Sequence, residues 1–167
     1  MIIFHFKERI IKKEELKKNL QYYQGQYRGL IIFNLCNNEF CIDINDVIAT
    51  IKLDGTVNYP NQFLYPDSRF CYNEINFLTI NMHKYFGLEL ENLKPNSRIM
   101  LLEYNKLQVG FIVDDVVEML TIDNNLINNL DYNNEDGYSY LKGILRFNGR
   151  KLMVPDLDKI FTRLNKD

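Results

Sequence analysis

The sequence predicts an all-β protein with short helices, built as two β-barrels of about five strands each and preceded by an N-terminal helix. Three observations carry that expectation. The first is a duplication. Leu30-Ile31-Ile32-Phe33 is followed by Phe40-Cys41-Ile42-Asp43-Ile44-Asn45-Asp46-Val47-Ile48, and Ile99-Met100-Leu101-Leu102 by Val109-Gly110-Phe111-Ile112-Val113-Asp114-Asp115-Val116-Val117. Equivalent positions are offset by 69 residues throughout (99 minus 30, 116 minus 47). A hairpin pattern repeated over this distance implies two similar β-subdomains built from one ancestral unit. The second is the correspondence of the two ends: Phe77 to Met82, running on to Phe86, matches Leu152 to Leu157, running on to Phe161. Each half thus reads hairpin, long connection, strand, short helical turn, and barrel closure is the solution that removes exposed sheet edges. The third is a hydrophobic fraction of 46% over 167 residues, enough for a real core and too apolar for disorder.

Residues 1–27 read as an extension to a main domain at 28–167. Lys7 to Tyr23 has helix-forming composition, with Ile10, Leu16, Leu20 and Tyr23 along one face, and Gly25 as its end. Its apolar face is expected to pack on its own domain, the usual fate of such a stripe, with a partner-binding or membrane-surface helix as the alternative; Glu8, Glu14 and Glu15 mixed among the lysines weaken the membrane case. The first hairpin is expected over 28–36 and 39–52, turning at Asn37-Asn38, with fraying near Asp43, Asn45 and Asp46. Residues 53–68, with Gly55, Pro60 and Pro66, read as a long loop. Ile75 to Ile80 is a strand, and Asn81 to Phe86 a helical turn closed by Gly87. The second hairpin spans 99–104 and 107–120 around Asn105-Lys106. Leu126, Ile127 and Leu130 are spaced for a short helix, and Asn148-Gly149-Arg150 joins two last strands. Pro155 and the acidic Asp156 and Asp158 mark the start of a final helix.

The bulk numbers exclude several classes. A net charge of −2 offers no general electrostatic reason to bind nucleic acid. Three cysteines, Cys36, Cys41 and Cys71, without regular spacing read as reduced thiols of a cytoplasmic protein, not a disulfide framework. No apolar run approaches a membrane span, and the apolar Met1 to Phe6 is too short for a signal peptide. There is no Gly-rich phosphate loop, no nucleophile elbow and no paired set of metal ligands, so no catalytic residue, cofactor or metal is expected. Asp43, Asn45 and Asp46 resemble half of a calcium loop but lack its Gly and distal Glu. The equivalent Asp114-Asp115 suggests a structural turn shared by both barrels. His83 and Cys71 are the one pair that could react together, as the nucleophile of a small enzyme or sensor using an inter-barrel groove, although nothing in their spacing supports it.

The order of these pieces resembles the CheW-like domain, the coupling module of bacterial chemotaxis, from about Gly29 to Phe161. The resemblance rests on Ile42-Asp43-Ile44 with Val47, then Pro60, then Val113-Asp114-Asp115-Val116-Val117-Glu118-Met119-Leu120, and finally Gly143 and Leu152-Met153-Val154-Pro155-Asp156-Leu157. It implies two SH3-like barrels and a non-enzymatic adaptor with two partners: the regulatory domain of a chemotaxis (CheA-like) histidine kinase, and the cytoplasmic tip of a chemoreceptor held in an apolar groove. By the same resemblance the partner-binding residues are Val47, Ile48, Ala49, Asn73, Glu74, Val116 and Val117, with Val47, Ile48, Val116 and Val117 as the groove floor or, equally, as ordinary core. The sequence departs from the family pattern in places. Asn73 and Glu74 stand where Arg and Gly are expected, Asn81-Met82-His83 replaces Asp-Leu-Arg, and Val47-Ile48-Ala49-Thr50 lacks the family's acidic residue. These departures admit a second expectation, a diverged scaffold serving another kinase, motility or developmental pathway outside receptor arrays.

Overall fold

The computed structural model describes residues 26–53, 69–88, 94–132 and 138–164. The helix expected within 7–23 and most of the loop expected at 53–68 lie outside them. Ten strands occur among the described residues: β1 (Tyr27–Leu35), β2 (Asn38–Asp43), β3 (Val47–Lys52), β4 (Arg69–Tyr72), β5 (Ile75–Asn81), β6 (Arg98–Tyr104), β7 (Leu107–Val113), β8 (Asp115–Asp123), β9 (Leu141–Phe147) and β10 (Arg150–Pro155). Three short helices accompany them, α1 (Met82–Tyr85), α2 (Asn124–Asn128) and α3 (Leu157–Leu164), with a 3-10 turn at Ile44–Asp46. The strands form two five-stranded sheets, ordered β8-β1-β2-β10-β9 and β3-β6-β7-β5-β4. Each is the wall of one SH3-like barrel.

These sheets are not the two halves of the sequence. The first copy of the repeat supplies β1 to β5 and the second β6 to β10, yet each sheet joins the hairpin of one copy to the last three strands of the other. The reason lies in two bends. The second strand of the first hairpin, expected to run unbroken over 39–52, stops at Asp43, whose carboxylate accepts the Asn45 N–H at 2.8 Å and starts the 3-10 turn. The strand expected over 107–120 breaks at Asp114, whose N–H donates to the Asn34 carbonyl at 3.0 Å. Past each bend the chain enters the other sheet: β3 pairs antiparallel with β6, and β8 with β1. The shared structural turn anticipated at Asp43–Asp46 and Asp114-Asp115 is therefore the crossover between barrels.

Three cores result. Leu30, Ile32, Cys41, Ile122, Leu145 and Leu152 line the first barrel with Leu130, and Ala49, Phe77, Ile99, Leu101 and Ile112 line the second with Leu53. The third and largest lies between the barrels. It takes Ile31, Phe33, Phe40, Ile42, Ile44 and Val47 from one copy and their equivalents Met100, Leu102, Val109, Phe111, Val113 and Val116 from the other, with Met82 from α1, Phe86 directly after it, and Ile160 and Phe161 from α3. β1 and β6 are thus buried on both faces, which explains their unbroken apolar runs. Burying each such side chain contributes roughly 1.5–3 kcal/mol.

Four hairpin turns have both central residues at positive φ: Cys36-Asn37, Asn73-Glu74, Asn105-Lys106 and Asn148-Gly149. This is the geometry that matches the twist of the flanking strands. The first turn sits one residue earlier than expected, on Cys36-Asn37, and β4 was not anticipated.

Candidate docking surface

The crossover strands β3 and β8 each lie at a sheet edge, and each carries a β-bulge at the same repeat position. In β3 the register passes from Val47 opposite Leu102 to Ala49 opposite Leu101, so Ile48 is the extra residue. In β8 it passes from Val116 opposite Phe33 to Glu118 opposite Ile32, so Val117 is the extra residue. A bulge turns one side chain away from the alternation. Here it leaves Ile48 39% and Val117 43% exposed, while Val47 and Val116 are buried in the inter-barrel core and Ala49 inside the second barrel. The expected groove floor therefore divides. Val47 and Val116 are core, Ala49 is shielded, and only Ile48 and Val117 present apolar surface.

The other expected contact, Asn73-Glu74, forms the exposed tip of the β4–β5 hairpin. Asn73 suits the left-handed backbone of the first turn position, and Glu74 occupies the second at φ 65°. Ile75 follows, 42% exposed. The sequence reading missed it, although its place directly after the turn signal marks it.

The chemistry around this scaffold is mostly that of structural pairing. Arg150 donates two hydrogen bonds to Glu39, at 2.9 and 2.7 Å, and one to Glu118, tying β10, β2 and β8. That contact holds the Glu39 carboxyl below its ordinary range and the guanidinium above its own. A cleft of about 230 Å³ between β2, β6 and the start of α3 is lined by Arg28, Asp43, Asp46, Tyr104, Asp156 and Asp158. Within it the Tyr104 hydroxyl donates to Asp158 at 2.6 Å, and that bond pushes the phenol up to about 12. Asp158 therefore does not cap α3. Asp156 does, accepting the Lys159 N–H at 3.1 Å.

Cys71 and His83 do not form the reactive pair considered from sequence. Cys71 is exposed on the edge strand β4. His83 is buried in α1, where its ring meets Asn81 at 3.1 Å and Asp114 at 2.9 Å, with Cys36 alongside. Cys41 is sealed inside the first barrel, and burial pushes its thiol up to about 12, far from nucleophilic use.

A model of the CheW-like domain matches residues 29–165. The chain belongs to the CheW-like domain family. The chemotaxis protein CheW of Thermotoga maritima (strain ATCC 43589 / DSM 3109 / JCM 10099 / NBRC 100826 / MSB8) is 23% identical over 138 residues, covering 80% of this chain and 82% of its own length. The crystal structure of the scaffolding protein TtCheW from Thermoanaerobacter tengcongensis superposes with a TM-score of 0.63 at 21% identity, covering 78% of this chain and 84% of that one. That likeness speaks for the two-barrel fold. This CheW-like protein is accordingly a non-enzymatic scaffold of the chemotaxis type. No helix among the described residues is long and apolar enough to cross a membrane.

Proposed function

We propose that this CheW-like protein couples chemoreceptors to a chemotaxis-type histidine kinase in the cytoplasm, as an adaptor without catalysis of its own. The observation that carries the reading is the family match over residues 29–165, nearly the whole two-barrel unit. The kinase's regulatory domain and the receptor's cytoplasmic tip are the partners this reading names. Ile48 and Val117 are the apolar contacts best suited to them, since each is a large side chain that the backbone turns outward at an edge strand. Val47, Ala49 and Val116 serve the surface from beneath, by fixing the bulges. The Asn73-Glu74 tip favours a second reading. Relative to Arg and Gly it shifts the local charge by two, one from each substitution, so a partner chosen by charge complementarity would differ, as in a scaffold serving another kinase.

The test is binding of the full chain to purified kinase and to a receptor cytoplasmic fragment from the same organism. Ile48→Asp and Val117→Asp should each weaken one of these interactions at least about tenfold, with unchanged folding. Asn73→Arg should strengthen binding or leave it unchanged if the family surface is retained. A large loss with Asn73→Arg, or no binding of either partner by the native chain, would favour the rewired scaffold.

A further inference from the structure

Three segments distant in sequence converge beside the inter-barrel core. The β1–β2 turn brings Cys36, α1 brings His83, and the β7-to-β8 crossover brings Asp114. One ligand atom from each, the thiol sulfur, an imidazole nitrogen and a carboxylate oxygen, lies within 4.8 Å of the others. The protonation of His83 is constrained by its neighbours. Asn81 Oδ1 accepts the backbone N–H of His83 at 3.0 Å, which fixes that atom as the oxygen of the amide. The same oxygen lies 3.1 Å from Nδ1, so Nδ1 carries a hydrogen and donates it. Nε2 then faces Asp114 Oδ1 at 2.9 Å. A neutral ring would set a lone pair against a carboxylate there, in a side chain only 2% exposed. A cation belongs between them, either a proton on Nε2 or a metal ion.

We propose that Cys36, His83 and Asp114 bind a zinc ion through Sγ, Nε2 and Oδ1, clasping the two barrels together. Thiolate, imidazole and carboxylate form a donor set suited to zinc. Bond lengths of about 2.0–2.3 Å in a tetrahedron put ligand atoms about 3.3–3.7 Å apart, so metal binding opens the 2.9 Å contact between His83 and Asp114 slightly and draws in the sulfur, which lies within 4.8 Å of both. The outer contacts are those of a held metal site. Nδ1–H is anchored on Asn81, and Asp114 Oδ2 accepts the Cys36 N–H at 2.7 Å with the Lys94 ammonium 3.5 Å away, leaving Oδ1 for the metal. Of the three ligands, Asp114 also borders a cleft of about 370 Å³, together with Asn34 and Lys94. Asn34, which lines that cleft, has its Oδ1 buried with no hydrogen-bond partner. Binding expels the thiol proton, together with any proton on Nε2, to solvent. The repeat supports a specific site rather than a general property of the fold. The positions equivalent to Cys36 and Asp114, 69 residues away, are Asn105 and Asn45, and the residue corresponding to His83 in the second copy is Asp158, so the ligand set occurs in one of two related places.

The experiment uses the full chain, freed of metal by a chelator. It is titrated with zinc by calorimetry and with cobalt(II) by absorption, which reads thiolate coordination as a near-ultraviolet charge-transfer band. The decisive variant is Cys36→Asn. Asn105 already occupies the equivalent position at φ 49°, so this change suits the turn and keeps the fold while removing the sulfur. One equivalent of metal with the thiolate band is expected, together with a rise in Tm of about 5–10 °C at a hundredfold excess of zinc over Kd. Cys36→Asn should lose the band, the thermal shift and about a hundredfold or more in affinity. Cys71→Ser should retain all three. The proposal is overturned if the native chain shows no saturable binding. It is equally overturned if Cys36→Asn keeps the band, or if Cys71→Ser abolishes it.

Discussion

Replacing Asp46 with Asn should make the protein more stable at neutral pH, and the gain should vanish in acid. Asp46 ends the 3-10 turn that carries the chain from one barrel to the other, and its carboxyl is half-buried. Burial, and then the negative charge of Asp43, push that carboxyl up from its ordinary 3.8 to about 6, with Arg28 partly opposing them. The folded state therefore holds this proton more tightly than the unfolded chain. Below pH 3.8 both states are protonated and Asp46 costs nothing. As pH rises the unfolded state ionises first, so stability falls through the interval up to about 6 and stays lower above it. The gap between 3.8 and about 6, at 1.36 kcal/mol per pH unit, gives a ceiling of about 3 kcal/mol. Solvent still reaches the group, so about 1–2 kcal/mol is expected. The assay is urea unfolding of both proteins from about pH 3.5 to about pH 7.5, comparing their difference so that every other titrating group cancels. With a slope near 2 kcal/mol/M the variant's midpoint should lie about 0.5–1 M higher at neutral pH and coincide with wild type at the acid end. A variant less stable at neutral pH, or a difference constant with pH, would refute the reasoning and mean that the ionised Asp46 is stabilised in the folded state.

Three further outcomes follow from single residues. Glu74→Gly removes a side chain from a backbone at φ 65° and should raise stability by about 1 kcal/mol, read as a higher urea midpoint with an unchanged slope. Gly110→Ala places a Cβ 2.7 Å from Ile99 Cδ1 inside the second barrel and should cost about 1–3 kcal/mol by thermal or urea unfolding, because the core must shift to admit it. Arg150→Met leaves Glu39 and Glu118 without their shared partner and should cost about 1 kcal/mol at neutral pH. Because that contact lowers the Glu39 carboxyl, its share of the loss should fade as pH falls below 4.5, measured by the same unfolding series.

The surface was legible in the sequence only down to the dipeptide. Val47-Ile48 and Val116-Val117 are named by the family resemblance, but alternation alone cannot say which member of a pair faces out. The bulge decides it, and a bulge depends on the register of β3 against β6 and of β8 against β1, which are pairings across the repeat. His83 shows the same limit. The sequence offers Cys71 as its reactive partner, with nothing in the spacing to support the pair. The structure supplies Asp114 and Cys36 instead, both reached through turns whose direction local sequence does not encode. A usable signal was nevertheless present in the places where the copies disagree. Cys36 against Asn105 and Asp114 against Asn45 are departures from a repeat that otherwise preserves its apolar positions, and a departure that the fold does not require is where a site-specific role is found.

The exchange of strands between the copies explains why the duplication predicted the barrels but not their composition. Hairpins declare themselves locally, through Asn-containing turns between apolar runs, and all three turns named as hairpin signals fall within one residue of the observed positions. The third strand of each copy has no such local mark, since it leaves its hairpin through a bend held by a single hydrogen bond, to the Asp43 carboxylate in the first copy and from the Asp114 N–H to the Asn34 carbonyl in the second. Its destination is chosen by burial. Val47 and Val116 both reach the core between the barrels, and they do so from strands that complete the opposite sheet. The first copy alone therefore contains neither full sheet, and neither does the second. The inter-barrel core is consequently not an interface between two finished domains, and the surfaces at Ile48 and Val117 are held by the same strands that make the two barrels one folding unit.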